Sequence, residues 1–259
     1  MIDVRELDQD VSVSTGIASG VWDDVVAADA HAMPSQTRQW VGAAVATEGL
    51  VDCSRLYTFS DGSQVVVPLV ASRRRPAALR TIGTMPEGWG FGGLVSSTPV
   101  TDHRYRVIWD DLISLPATRV RIRPNPLTAV MWERTAPIGV VRLARRAHVL
   151  DLSGGFDTVW SQRVKPIARS NVRRGERHDV EVTCGASDRN IEAYRTMLLS
   201  SRERWSGKQH EPRRFGQWRA ERRDPFERIV GMLRHAPDVS RLWVAWYKGE
   251  PAAGIVVAL

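Results

Sequence analysis

Apolar residues recur along this chain with two periods, and the switches between them mark out its elements. Val21-Trp-Asp-Asp-Val-Val-Ala-Ala-Asp-Ala-His31 carries apolar positions at helical spacing, and Pro34 closes that run. Ser35 has the chemistry of an N-cap, predicting a second helix from Gln36 to about Thr47 with Trp40, Val41 and Val45 facing inward. Leu56-Tyr-Thr-Phe59 and Gln64 to Val70 are strand-like runs joined by Ser60-Asp-Gly-Ser63, the pattern of a hairpin with a glycine-containing turn. Gly83 to Leu94 is a glycine-rich loop. Arg119 to Leu127 reads as a strand with arginines alternating onto one face, and residues 139 to 151 as a further strand or crossover.

In the second half, Phe156 to Arg177 is helical in period with Pro166 inside it, which predicts a kink or two abutting helices. Val180-Glu-Val-Thr183 alternates as a strand. Ser187 to Leu199 opens with cap chemistry and continues as a helix, and Asp224-Pro-Phe-Glu227 starts another that runs to about His235. Leu242 to Leu259 is a hairpin around Lys248-Gly249-Glu250, its first strand apolar on both faces and therefore expected inside a sheet. The layout of strand, glycine turn and strand at 56–70 recurs here, which suggests two related α/β halves. The second run of the hairpin reaches the last residue, so the second half is expected to be incomplete.

At 259 residues, 43% hydrophobic and 25% charged, the chain can bury a sizeable core, and the expected division is residues 1–150 and 151–259. No apolar run approaches the roughly 20 residues that span a bilayer, and Met1-Ile-Asp-Val-Arg-Glu-Leu-Asp8 lacks a basic-then-apolar leader pattern. A cytoplasmic protein is expected. Cys53 and Cys184 are far apart, without a CxxC or clustered histidines, so neither a disulfide framework nor a metal site is expected.

The net charge of +7 is unevenly placed. Residues 160–235 hold 18 basic and 10 acidic side chains, whereas residues 1–159 hold 16 and 17. Of the 36 basic residues only Lys165, Lys208 and Lys248 are lysines, and a guanidinium fork suits phosphate or carboxylate better than an ammonium does.

Candidate chemistry concentrates in that basic segment. On a helix Arg169, Arg173 and Arg177 fall at i, i+4 and i+8, with Lys165 one turn earlier, making a stripe that could hold phosphates or stand as a solvated face. Arg202, Arg204, Trp205, Lys208, His210, Arg213, Arg214, Trp218, Arg219, Arg222 and Arg223 interleave cations with aromatics, which suits RNA, a loop over a substrate, or plain surface. In the first half, Pro86-Glu-Gly-Trp-Gly-Phe-Gly-Gly93 could wall a pocket with Trp89 and offer Glu87 to an amine, or be a structural turn around core aromatics. It has neither the spacing nor the lysine of a phosphate-binding loop.

Several of these pieces together resemble the Fem-like (FemAB or BioF2-like) branch of the GNAT acyltransferase superfamily. They are Pro34-Ser-Gln-x-x-x-Trp40, Asp61-Gly62 leading into Val65-Val-Val-Pro-Leu-Val70, the Asp151-Leu-Ser-Gly-Gly-Phe-Asp-Thr-Val-Trp160 junction, Arg169-Ser-Asn-Val-Arg-Arg-Gly-Glu-Arg177, and the final hairpin. The resemblance implies an α/β fold of two tandem GNAT-like halves, each a mixed sheet flanked by helices. It implies N-acyl transfer from acetyl-CoA or another acyl-CoA to an amine of a small-molecule or cell-wall-precursor acceptor, with aminoacyl-tRNA as the alternative donor. Such chemistry is mostly positioning of the amine against the carbonyl, so it requires no nucleophilic residue and names no catalytic one here. The substrate-binding residues expected are Arg169, Arg173, Arg177, Lys165, Trp89 and Glu87. A non-catalytic RNA-binding module using the 160–235 surface is the rival expectation.

Overall fold

The computed structural model describes the backbone of residues 4–8, 10–74, 76, 79–208 and 212–259. In chain order it contains β1 (Val4–Asp8), β2 (Val11–Ser14), α1 (Ser19–Ala28), a 3-10 turn at Pro34–Gln36, α2 (Arg38–Glu48), β3 (Leu50–Asp52), β4 (Arg55–Phe59) and β5 (Gln64–Val67). There follow β6 (Val70–Ser72), β7 (Thr81–Gly83), β8 (Val95–Ser96), α3 (Asp102–Ile113), β9 (Arg119–Arg121), α4 (Ala129–Thr135), α5 (Gly155–Thr158) and α6 (Pro166–Arg177). The remaining elements are β10 (Glu181–Cys184), α7 (Asp188–Lys208), α8 (Arg213–Arg223), α9 (Phe226–His235), β11 (Ser240–Tyr247) and β12 (Glu250–Ala258). The fold class is α/β, with sheets flanked by helices. Among the described residues no helix is long and apolar enough to cross a membrane.

Two compact units divide the chain, the first made of residues 1–142, 218–241 and 258–259 and the second of residues 143–217 and 242–257. A single cut near residue 150 therefore does not describe the division. Residues 218–241 return to the first unit because α9 is amphipathic and supplies Met232, with Ala236 just past its end, to the cluster around Trp40 and Val41 of α2.

The first unit holds two sheets, the antiparallel β1-β2-β4-β5-β8 and the mixed β3-β6-β7-β9, in which β7 and β9 run parallel. Strand β5 is covered on both faces: Val65 and Val67 join a cluster with Tyr57, Ile108, Leu112 and Trp132, while Val66 joins one with Trp22, Trp40, Trp89 and Met232. That two-sided burial explains its uninterrupted valines.

Local chemistry moved several expected boundaries. The run Gln64 to Val70 is not one strand, because Pro68 cannot donate to a ladder: β5 stops at Val67 and Val70 begins β6 in the other sheet. Thr37, not Ser35, caps α2, its side chain accepting from the Trp40 amide at 3.3 Å, and the Ser35 hydroxyl instead donates to the Phe91 carbonyl at 2.6 Å. Helix α1 ends at Ala28 because Asp29 turns extended and its carboxylate accepts the backbone amides of His31 and Ser96. The strand expected over 119–127 is confined to Arg119–Arg121, with Pro124 and Pro126 beyond it, and residues 139–151 carry no regular element.

In the second unit β10, β11 and β12 form an antiparallel sheet, with Val182 opposite Ala245 and Cys184 opposite Trp243. One face packs on α7. Trp246 Nε1 donates to Thr183 Oγ1 at 2.9 Å, the Thr183 hydroxyl meets Asn190 Oδ1 at 3.0 Å, and Arg189 stacks over the Trp246 ring at 4.0 Å. Gly254 of β12 lies against Tyr194 and Met197, leaving no room for a Cβ. The opposite face is open. Leu242, Val244 and Trp246 are buried, but Trp243 and Tyr247 are each more than 40% exposed, so β11 is not buried on both sides as its sequence suggested.

Candidate anion-binding site

The basic stripe lies on α6, whose start is set by the sequence before it. Asp151 folds the Asp151-Leu-Ser153 junction on itself, its carboxylate accepting the Ser153 amide and hydroxyl at 2.9 Å each. The Ser153 amide holds the Asp151 carboxyl below the usual carboxylate range. Arg163 donates to the carbonyls of Asp151 and Ser153 at 2.6 and 2.7 Å. A single wide turn, Val159–Arg163, follows α5, and the chain then breaks at Val164-Lys165 so that Pro166 can occupy the first turn of α6. The expected break at Pro166 is therefore real.

Arg169 closes that break from the other side. Its Nη1 donates to the carbonyls of Trp160, Ser161 and Val164 at 3.0, 2.6 and 2.8 Å, which are the groups an ending helix leaves unpaired. Arg169 is thus a positioning residue for α6. Arg173 and Arg177, on the same face, have no hydrogen-bond or ion-pair partner among the described residues, and with Pro166, Arg169 and Ser170 they line a cavity of about 290 Å³. Arg174 is equally unpartnered but turns away, lining a separate depression of about 480 Å³ with Asn171, Gly175, His178, Val180 and Tyr247. Lys165 precedes the helix and is exposed. Helix α6 ends in an αL residue, Asp179 (φ 52°), with the Val180 amide returning to the Gly175 carbonyl at 3.2 Å.

Trp89 and Glu87 belong to the first unit, not to this cavity. Trp89 is fully buried; its Nε1 donates to Glu48 Oε1 at 2.7 Å, and its carbonyl accepts from Trp40 Nε1 at 2.9 Å. It is a core residue, not a wall of an open pocket. Glu87 is exposed on the loop beside it. The loop glycines serve packing: a Cβ on Gly88 would run into the Arg228 guanidinium, and one on Gly90 would press on Ser35. Gln36, entirely buried, ties the loop down by donating to the Gly92 and Leu94 carbonyls at 2.9 Å each.

The 202–223 stretch does not form one surface within a single unit. Arg202, Arg204, Trp205 and Arg214 lie in the second unit, Trp218, Arg219, Arg222 and Arg223 in the first. Arg202 is buried, whereas Trp205 and Trp218 are each 54% exposed, and Arg222 sits over the Trp218 ring at 5.4 Å. His210 lies outside the described residues, as do the side chains of Lys208 and Arg213.

Two polar clusters went unread in the sequence. Asp111 is buried, accepting from Tyr57 Oη at 2.7 Å and from Arg55 Nη1 at 3.2 Å; burial and the neighbouring Asp111 charge push the Tyr57 phenol well above its ordinary value. Arg228 pairs with Glu48 at 2.6 Å. Both are internal braces. Among the described residues no group of His, Cys, Asp and Glu could hold a metal. Compared with known proteins, the chain matches no family model and no curated protein.

Proposed function

We propose that the chain is built as a Fem-like N-acyltransferase of the GNAT type, two tandem α/β halves acting in the cytoplasm on an amine of a small-molecule or cell-wall-precursor acceptor. The observation that supports it is the run of elements in the second half, strand β10, helices α7, α8 and α9, then the hairpin of β11 and β12, with α7 packed on the sheet. In that reaction the deprotonated amine nitrogen attacks the thioester carbonyl of acyl-CoA, a C–N bond replaces the C–S bond, and the amine proton leaves to solvent or a base. Aminoacyl-tRNA is the alternative donor, with an ester oxygen as the leaving atom. Incubation of the protein with acetyl-CoA and a panel of amines, following free thiol release, tests this reading. Thiol release that depends on an amine supports it. Release no faster than in protein-free controls, with no turnover of aminoacyl-tRNA either, overturns it.

A non-catalytic RNA-binding module is the second reading, favoured by the unpartnered Arg173, Arg174 and Arg177. RNA affinity falling steeply with salt would support it, because each released counterion contributes to the slope. No RNA binding at low salt would eliminate it.

A further inference from the structure

The two faces of α6 differ in a way that spacing alone does not disclose. Of its four arginines only Arg173 and Arg177 are free of protein partners and share one cavity; Arg174, equally free, stands alone in the other depression. They stand one helical turn apart, about 5–6 Å between Cβ atoms, and each guanidinium can grip one phosphate through paired N–H donors. Ser170 adds a hydroxyl to the same cavity. Arg169, its Nη1 spent on backbone carbonyls, contributes positive potential and holds the helix in place. Glu176 is the single acidic residue of the helix and does not line the cavity.

We infer that Arg173 and Arg177 bind a diphosphate group, one phosphate to each guanidinium, with the Ser170 hydroxyl as an additional donor. The ligand class is a small diphosphate ester. A nucleotide-linked acceptor and coenzyme A both carry that group. The inference rests on the α6 geometry and stands whether or not the chain transfers acyl groups. An extended polyanion is a different matter: it would draw on every cation of the helix, Arg174 included, while a diphosphate seated in the cavity would not reach the side chain turned to the opposite depression.

That difference sets the experiment. Inorganic pyrophosphate, inorganic phosphate, UDP, coenzyme A and a single-stranded RNA oligomer are titrated calorimetrically into the full chain and into Arg173→Ala, Arg177→Ala and Arg174→Ala. All three residues are exposed and unpartnered, so the variants are expected to fold, which circular dichroism checks. Pyrophosphate is expected to bind more tightly than phosphate, and Arg173→Ala or Arg177→Ala to weaken it at least tenfold, with Arg174→Ala within about twofold of the parent. Tighter binding of UDP or of coenzyme A than of pyrophosphate identifies which source the site selects and supports the inference. Equal losses in all three variants, RNA binding without pyrophosphate binding, or no pyrophosphate binding at low salt each overturn it. Thiol release in the acyl-transfer assay is read separately, so one reading can fail while the other stands.

Discussion

Arg228 donates from Nε to Glu48 Oε1 at 2.6 Å, joining residues 180 positions apart in the chain. Glu48, the last residue of α2, accepts simultaneously from Trp89 Nε1, and Arg228 Nη1 continues to the Arg223 carbonyl at 3.1 Å. One carboxylate thus fixes the glycine loop and α9 together. Arg228→Ala leaves a largely buried carboxylate without its cation, and is expected to destabilise the first unit by about 2–4 kcal/mol. Urea denaturation followed by tryptophan fluorescence measures this. Glu48→Gln, which keeps an acceptor for Trp89, should cost less, and equal losses would deny Glu48 its joint role.

Alkaline pH should loosen the same unit. Burial raises the Cys53 thiol from 9.0 to about 12, reinforced by the Asp52 charge, and raises the Tyr57 phenol well above 10. Both groups stay protonated in the folded state while the unfolded chain ionises, so their stabilising contribution is complete below about pH 9 and is lost as pH rises towards 12. Melting temperature is expected to be flat from pH 7 to 8.5 and to fall above pH 9. Cys53→Ala should remove the part of that fall that begins near pH 9, leaving the tyrosine part.

Thiol chemistry gives an independent check. Cys184 is exposed on β10, whereas Cys53 is partly buried with its thiolate strongly disfavoured. Ellman's reagent at pH 8 should therefore titrate one thiol in the native protein and two in urea. Cys184→Ser should abolish the native reaction.

The end of α6 offers a gain. Asp179 adopts φ 52°, a conformation glycine reaches without steric cost, and its side chain is exposed. Asp179→Gly is expected to stabilise the second unit by about 1 kcal/mol. Asp179→Ala, keeping a Cβ but no side-chain polar group, should stabilise less or destabilise. Thermal melts of the pair decide it.

Where information is local, the sequence was readable. The Lys248-Gly249 turn, both with positive φ, the Pro166 break and the Asp61-Gly62 hairpin each follow from one or two residues and came out where expected. The stripe on α6 was legible from spacing, and the cavity beside Arg173 and Arg177 agrees with it. The role of Arg169 was not, because its partners are carbonyls that any sequence would carry. Trp89 reads like a pocket wall among glycines, yet its indole N–H finds a carboxylate 41 residues earlier and goes inside. Long-range pairs such as Glu48 with Arg228 and Tyr57 with Asp111 leave no periodic trace, which is why both braces were missed.

The discontinuity of the first unit has a consequence for the order in which the molecule can be made. A ribosome delivers α2 long before α9, and all of residues 143–217 emerge between them. Trp40, Val41 and Glu48 must therefore wait, unsealed, until Met232, Ala236 and Arg228 have left the exit tunnel. Closing so long a loop is slow, and the waiting apolar face is a natural client for a chaperone during synthesis.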